Sequence, residues 1–175
     1  MSVLRSLLRD RRATAAAELA LILPFLIALG MGAAELGNYF LDQHRLVKSV
    51  RDGARYAARQ DFSNFAGCTS TPADVGTTLA GQVKQLVRTG QVSGGTDQLA
   101  NWSSATFSVQ FSCDPNSTYG GQVLTGIYAI HNTGKAPVVI VTATVPYQPI
   151  ALSSFGFNAS GYSLYAQQQA PVVGI

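Results

Sequence analysis

Residues 13–34 read ATAAAELALILPFLIALGMGAA, and this stretch decides the architecture, because Glu18 is its one ionisable residue. A helix needs about 20 apolar residues, at roughly 1.5 Å rise each, to cross the hydrocarbon core of a bilayer, so this run is long enough to span. No other run in the sequence has that length and character. On its N-terminal side stand Arg5, Arg9, Arg11 and Arg12 against Asp10 alone. The second flank opens instead with Glu35 and Asp42 before its first base, Arg45. Lys and Arg favour the cytoplasmic flank of a span, which puts the N-terminus inside and the bulk of the chain outside.

Past the span the helical pattern continues. Leu36, Phe40, Gln43, Val47, Val50, Ala54 and Ala57 recur at steps of four and three, a heptad seam interrupted by Gln43. Asp42, Arg45, Lys48, Arg51, Asp52, Arg55 and Arg59 fall largely off it. A single helix from Glu18 to Gln60 would be roughly 64 Å long, half of it beyond the membrane. Pro24 removes one backbone hydrogen bond and is expected to bend it, while Gly30, Gly32 and Gly37 offer small surfaces for helix packing. A cleaved signal peptide ending near Gly32, Ala33 and Ala34 is the alternative reading of the same stretch. The carboxylate at Glu18 and the length of the apolar run weigh against it. The amphipathic part can also cover the domain of its own chain; lying in the membrane surface fits it less well, since few large apolar residues follow Val50.

Composition separates the two halves further. Charged residues make up 12% and apolar ones 47%, far from the roughly 25% charge of an ordinary soluble domain. The net charge of +3 belongs to the first third, since only Lys84, Arg88 and Lys135 follow Arg59, against Asp61, Asp74, Asp97 and Asp114. The exported part is thus slightly acidic, which argues against a nucleic-acid partner.

The run Arg11-Arg12-Ala13-Thr14-Ala15-Ala16-Ala17-Glu18-Leu19-Ala20-Leu21-Ile22-Leu23-Pro24 resembles the start of type IV pilin-like precursors, and most closely the TadE-like minor pseudopilins of the tight-adherence (Flp pilus) system. Leu36-Gly37-Asn38-Tyr39 after Glu35, and the block Arg51-Asp52-Gly53-Ala54-Arg55-Tyr56-Ala57-Ala58, also look like that family's pattern, as does the later Val145-Pro146-Tyr147-Gln148-Pro149 more weakly. The resemblance implies that a prepilin peptidase cuts between Ala13 and Thr14, leaving Glu18 as the fifth residue of the mature chain. Ala13 departs from the family's usual Gly at that position. Glu18 would then pair with the N-terminal amine of a neighbouring subunit, so that two charges costly in lipid offset each other. Other pilin or pseudopilin subunits, the peptidase, the inner-membrane assembly platform and membrane lipid are the partners so implied. A snorkelling Glu18 with no such role is the plainer reading of that residue.

After Gln60 the sequence turns to Ser, Thr, Gly, Asn and Gln, the composition of an exported surface. Cys68 and Cys113 are its two cysteines, and outside the cytoplasm they are expected to form a disulfide. A metal site or a catalytic thiol is a poorer reading, since His44 and His131 are far in sequence from each other and from both cysteines. Asp74–Arg88 predicts a helix on Val75, Leu79, Val83, Leu86 and Val87, closed by Gly90. Ala105–Cys113 alternates, with Phe107, Val109, Phe111 and Cys113 on one face; Gln122–Ile130, Pro137–Val145 and Gly161–Gln169 are read as further strands. The expectation is an α+β protein: a basic leader (1–13), a transmembrane helix (14–34), its amphipathic continuation (35–60), and an exported domain (61–175) with a small antiparallel sheet and an accessory helix.

No phosphate loop, zinc-protease motif or Gly-x-Ser-x-Gly elbow occurs, so no enzyme activity, cofactor or metal is expected. Two functions fit. One is a minor pilin-like subunit, seated in the bacterial inner membrane with its C-terminal domain periplasmic, that takes part in pilus assembly or priming and can enter the filament. The other is an unprocessed single-pass anchor carrying an exported binding or adhesion module.

Overall fold

The computed structural model describes residues 11–113, 125–129, 135–150 and 161–174. Helix α1 runs without interruption from Arg11 to Ala58 and carries Pro24 inside it. Its Ala, Leu and Arg content favours the helix, and the missing N–H of one proline breaks a single bond in a ladder this long. The chain divides into two compact units, Met1–Tyr39 with Pro149–Asn158, and Phe40–Gln148 with Ala159–Ile175; α1 contributes to both.

The second unit is α+β, as expected. Four strands form one antiparallel sheet in the order β1-β2-β3-β4: β1 Ala73–Asp74, β2 Thr106–Cys113, β3 Pro137–Pro146 and β4 Ser163–Pro171. In β2 and β3 the alternation is clean, with Val109, Phe111 and Cys113 buried beside Val139, Val141, Ala143 and Val145. β4 adds Leu164 and Ala166 to the same face. Helix α2, Thr77–Thr89, buries Leu79, Val83 and Val87, and ends where Gly90 adopts a left-handed conformation and donates its N–H to Leu86 O at 2.7 Å. Gly tolerates that conformation without a Cβ clash, which is why the helix stops there.

Three expectations need correction. The helix read from Asp74 begins at Thr77, because Ala73 and Asp74 pair with Phe111 and Gln110 as β1 and Val75 N–H donates to Val109 O. The strand read over Gln122–Ile130 is not one where it is described: Gly126–Tyr128 is a 3-10 turn, with the Tyr128 hydroxyl donating to Val172 O and its ring set edge-on to Phe62. The rest of that segment lies outside the described residues, as does His131. The seam on α1 holds for Val50, Ala54 and Ala57, but Leu36 and Phe40 are exposed, and Leu46, Ser49, Gly53 and Ala58 join the buried stripe. A helix on a globular core buries a face wider than two heptad positions, and small residues fill it where another helix comes close.

That close approach is at Gly53. A Cβ built there would overlap Val87 Cγ2 and press on Val83, both on α2. Cys68 and Cys113 form the expected disulfide, closing 45 residues between the segment after the Phe62–Phe65 turn and the end of β2. On the chain-entropy treatment a closure of that length contributes roughly 4 kcal/mol, a large share of a stability of about 5 to 15 kcal/mol.

Overpacking at a helix contact costs about 1–3 kcal/mol, more than the roughly 1 kcal/mol that Ala gains over Gly in helix propensity. Gly53→Ala is therefore expected to lower the unfolding midpoint followed by circular dichroism, and Val87→Ala in the same chain to recover part of the loss. A Gly53→Ala variant more stable than the parent would show that the two helices can separate freely.

Candidate functional site

The first unit holds the residues singled out for membrane insertion and assembly. Leu21, Phe25 and Leu29 are each more than 70% exposed, and Leu19, Ile22, Leu23, Leu26 and Ile27 are exposed as well, so α1 is apolar around its whole circumference here. A helix uncovered and apolar on every side needs lipid or other helices around it. Among the described residues α1 is the one helix long and apolar enough to cross a membrane, and it supplies a single-pass anchor. A Cβ on Gly30, Gly32 or Gly37 would touch nothing, so the surface at these glycines is open to an approaching backbone.

Ala13, Thr14, Glu18 and Pro24 all lie on this helix. Thr14 and Glu18 are exposed and one turn apart, and Glu18 makes no ion pair among the described residues. The structure therefore places Thr14 and Glu18 on one accessible helical turn. Cys68 and Cys113 belong to the second unit and serve its fold. Among the described residues no three His, Cys, Asp or Glu side chains gather in a way that could hold a metal ion.

A second carboxyl group closes the other end of the apolar run. Glu35 is 6% exposed, and its Oε1 accepts the N–H of Ile150 at 3.2 Å. A buried carboxyl must have its hydrogen bonds satisfied, and this one fixes a backbone position far along the chain. In the sequence Glu35 marks the flank of the span and opens the Glu-Leu-Gly pattern. Its burial had one signal, an acid set directly against the end of an apolar run, but its partner comes from residue 150 and no local spacing announces it.

The two charge pairs of the second unit among the described residues lie at the surface. Arg45 Nη1 lies 2.9 Å from Asp42 Oδ1, and Arg88 is held by Asp97, whose hydrogen bond raises the Arg88 pKa. Exposed pairs of this kind contribute little to stability.

A long apolar helix that is a membrane anchor, continuing into an α+β sheet unit closed by a disulfide, defines a single-span protein with an appended folded domain. Residues 13–55 match the family model described as TadE-like protein, the family that the motifs of this segment resemble. Neither a curated protein nor a solved structure matches the chain. The match and the anchor together support a membrane protein associated with the tight-adherence pilus.

Because the Glu35 carboxyl holds the Ile150 amide, Glu35→Ala is expected to speed hydrogen exchange at Ile150 about five- to tenfold, the loss of one hydrogen bond worth roughly 1 kcal/mol. An unchanged exchange rate would mean that other contacts hold this segment.

Proposed function

We propose that this protein is a minor pilin-like subunit, without catalytic activity of its own, that is inserted in the bacterial inner membrane, cut between Ala13 and Thr14 by a prepilin peptidase, and used in assembling or priming a tight-adherence pilus. The observation that carries the reading is the coincidence of the family match over residues 13–55 with a helix whose apolar side chains are uncovered from Leu19 to Leu29. A helix bundle in lipid or in a filament core can bury that surface. The leader arginines favour a cytoplasmic N-terminus and leave the disulfide-closed domain on the periplasmic side, where disulfides persist.

Cleavage would create a new amine at Thr14, one helical turn from Glu18. In an assembly of parallel helices that amine can pair with the acid of a neighbour, so neither charge enters the apolar packing alone. The pairing acts between subunits, so Glu18 has no part in the fold of its own chain, which agrees with its exposure. Ala13 is small, as the cut-site residue must be, although it is not the usual Gly. Were the leader retained, the same chain would serve as an anchored exported binding or adhesion module.

Intact-mass measurement of protein extracted from membranes decides between the two: a chain beginning at Thr14 is expected, and retention of residues 1–13 would establish the anchored module instead. Glu18→Ala is expected to leave the circular dichroism spectrum and membrane insertion unchanged while reducing pilus formation at least tenfold. Normal piliation with that variant would remove the subunit-pairing role.

A further inference from the structure

Among the described residues β4 is the last strand in the sheet, so one side of it is an edge. Val172 N–H donates to Pro137 O and Tyr147 N–H to Tyr162 O, and the register between these bonds is unbroken. In an antiparallel pair the hydrogen-bonded residues alternate, so Leu164, Ala166, Gln168 and Ala170 turn their backbone groups to β3, and Tyr165, Gln167, Gln169 and Pro171 turn theirs outward. Tyr165 O accepts Gln43 Nε2 at 2.7 Å, and Pro171 has no N–H. Gln167 and Gln169 are left to present both N–H and C=O at the edge, and both residues are exposed. Natural edges are blocked by lysines, bulges, inward charges or a covering helix or loop; Ser163–Pro171 contains no charged residue, and α1 bonds to this side at Tyr165 and, just past the strand, at Val173, with Gln167 and Gln169 between them.

A row of cations runs beside this edge. α1 meets β4 through the Gln43–Tyr165 bond, and Val173 N–H, just past the strand, donates to Ala58 O at 2.9 Å. The helix between Gln43 and Ala58 covers about 22 Å, and the chain between Tyr165 and Val173 about 27 Å, so helix and strand run alongside each other in the same direction. Between them lies a cavity of about 400 Å³, lined by Arg51, Arg55 and Arg59 from the helix and by Gln168, Gln169 and Pro171 from the strand side. All three arginines are exposed, and the ion pairs among the described residues are made by Arg45 and Arg88 instead. Side chains four residues apart on a helix repeat at about 6 Å, close to the roughly 6.7 Å between alternate residues of an extended strand.

We propose that the β4 edge and the Arg51-Arg55-Arg59 row form one docking surface for an extended segment of another protein that carries carboxylates at alternate positions. The segment adds to the sheet as a fifth strand. Its backbone bonds to Gln167 and Gln169, and its acids meet the three guanidinium groups in turn. The row supplies direction and charge selection, and the edge supplies the main-chain bonds. The surface lies wholly within the second unit and does not depend on cleavage at Ala13.

The test uses the full-length protein in detergent and a ten-residue fluorescent peptide of alternating Glu and Val, with a Lys-Val peptide as control. Binding of the Glu-Val peptide alone is expected, with slowed amide exchange at Gln167 and Gln169. The combined variant Arg51→Gln, Arg55→Gln, Arg59→Gln should bind at least tenfold more weakly. Gln169→Pro removes an N–H that the sheet does not use, and should lose binding with its circular dichroism unchanged; should it misfold, the protection of the two amides in the parent protein decides alone. Equal binding of both peptides, or binding without protection of those amides, would overturn the proposal. So would protection that rises with protein concentration in the absence of peptide, which would make a second copy the occupant. Capture of the arginine row by phosphatidylglycerol vesicles, with no peptide binding, would overturn it in favour of lipid.

Discussion

Packing of α1 against α2 in the second unit depends on Gly53 having no side chain, since a Cβ there would overlap Val87. With no side chain at Gly53, α1 can approach α2 closely enough for Val87 and Val83 to occupy the space a Cβ would fill. The same helix carries its large apolar residues, Leu19 to Leu29, where its own chain does not cover them. Side-chain size along α1 is therefore distributed by neighbour. Gly53 admits the Val83 and Val87 side chains of α2, Leu46 and Val50 fill the core of the second unit, and Leu19 to Leu29 are left for lipid or other helices.

How much of this was legible follows from the kind of signal each element carries. The length of α1 and the alternation in β2, β3 and β4 are periodic features, and a period survives without knowledge of the partner. β1 has no such feature: Ala73 and Asp74 are both exposed, and only their pairing with Phe111 and Gln110 makes them a strand. The segment around Gly126 misled for the opposite reason. Val123, Leu124, Ile127, Tyr128 and Ile130 look like strand residues, but Gly126 sits at φ 75° and Tyr128 is fixed by a hydroxyl bond to Val172, a contact across 44 positions. The heptad seam on α1 extends through Leu36 and Phe40 in sequence but not in burial, because apolar character alone cannot tell a residue that packs on its own domain from one that does not. Gly53 and Ser49 lie outside the apolar pattern because burial of small residues leaves no hydrophobic mark. Among the site residues, the Cys68–Cys113 pairing is legible because the sequence has two cysteines and no others, whereas the Glu35 to Ile150 bond is invisible without coordinates.

The family match ends at Arg55, inside α1. It thus takes in the anchor and most of the helix, and leaves the whole sheet outside. The arginine row lies across this boundary, with Arg51 and Arg55 inside the match and Arg59 and β4 beyond it.

The parallel course of α1 and β4 also has a mechanical meaning. Tension along the anchor would enter the folded domain through the last turns of α1. There Gln43 is bonded to Tyr165 at one end and Ala58 to Val173 at the other, with buried side chains between. A pull along the helix axis would load these contacts together, in shear, instead of peeling them apart one after another. Resistance to forced unfolding is a matter of unfolding rate, and a shear geometry of this kind slows that rate without requiring a more stable fold.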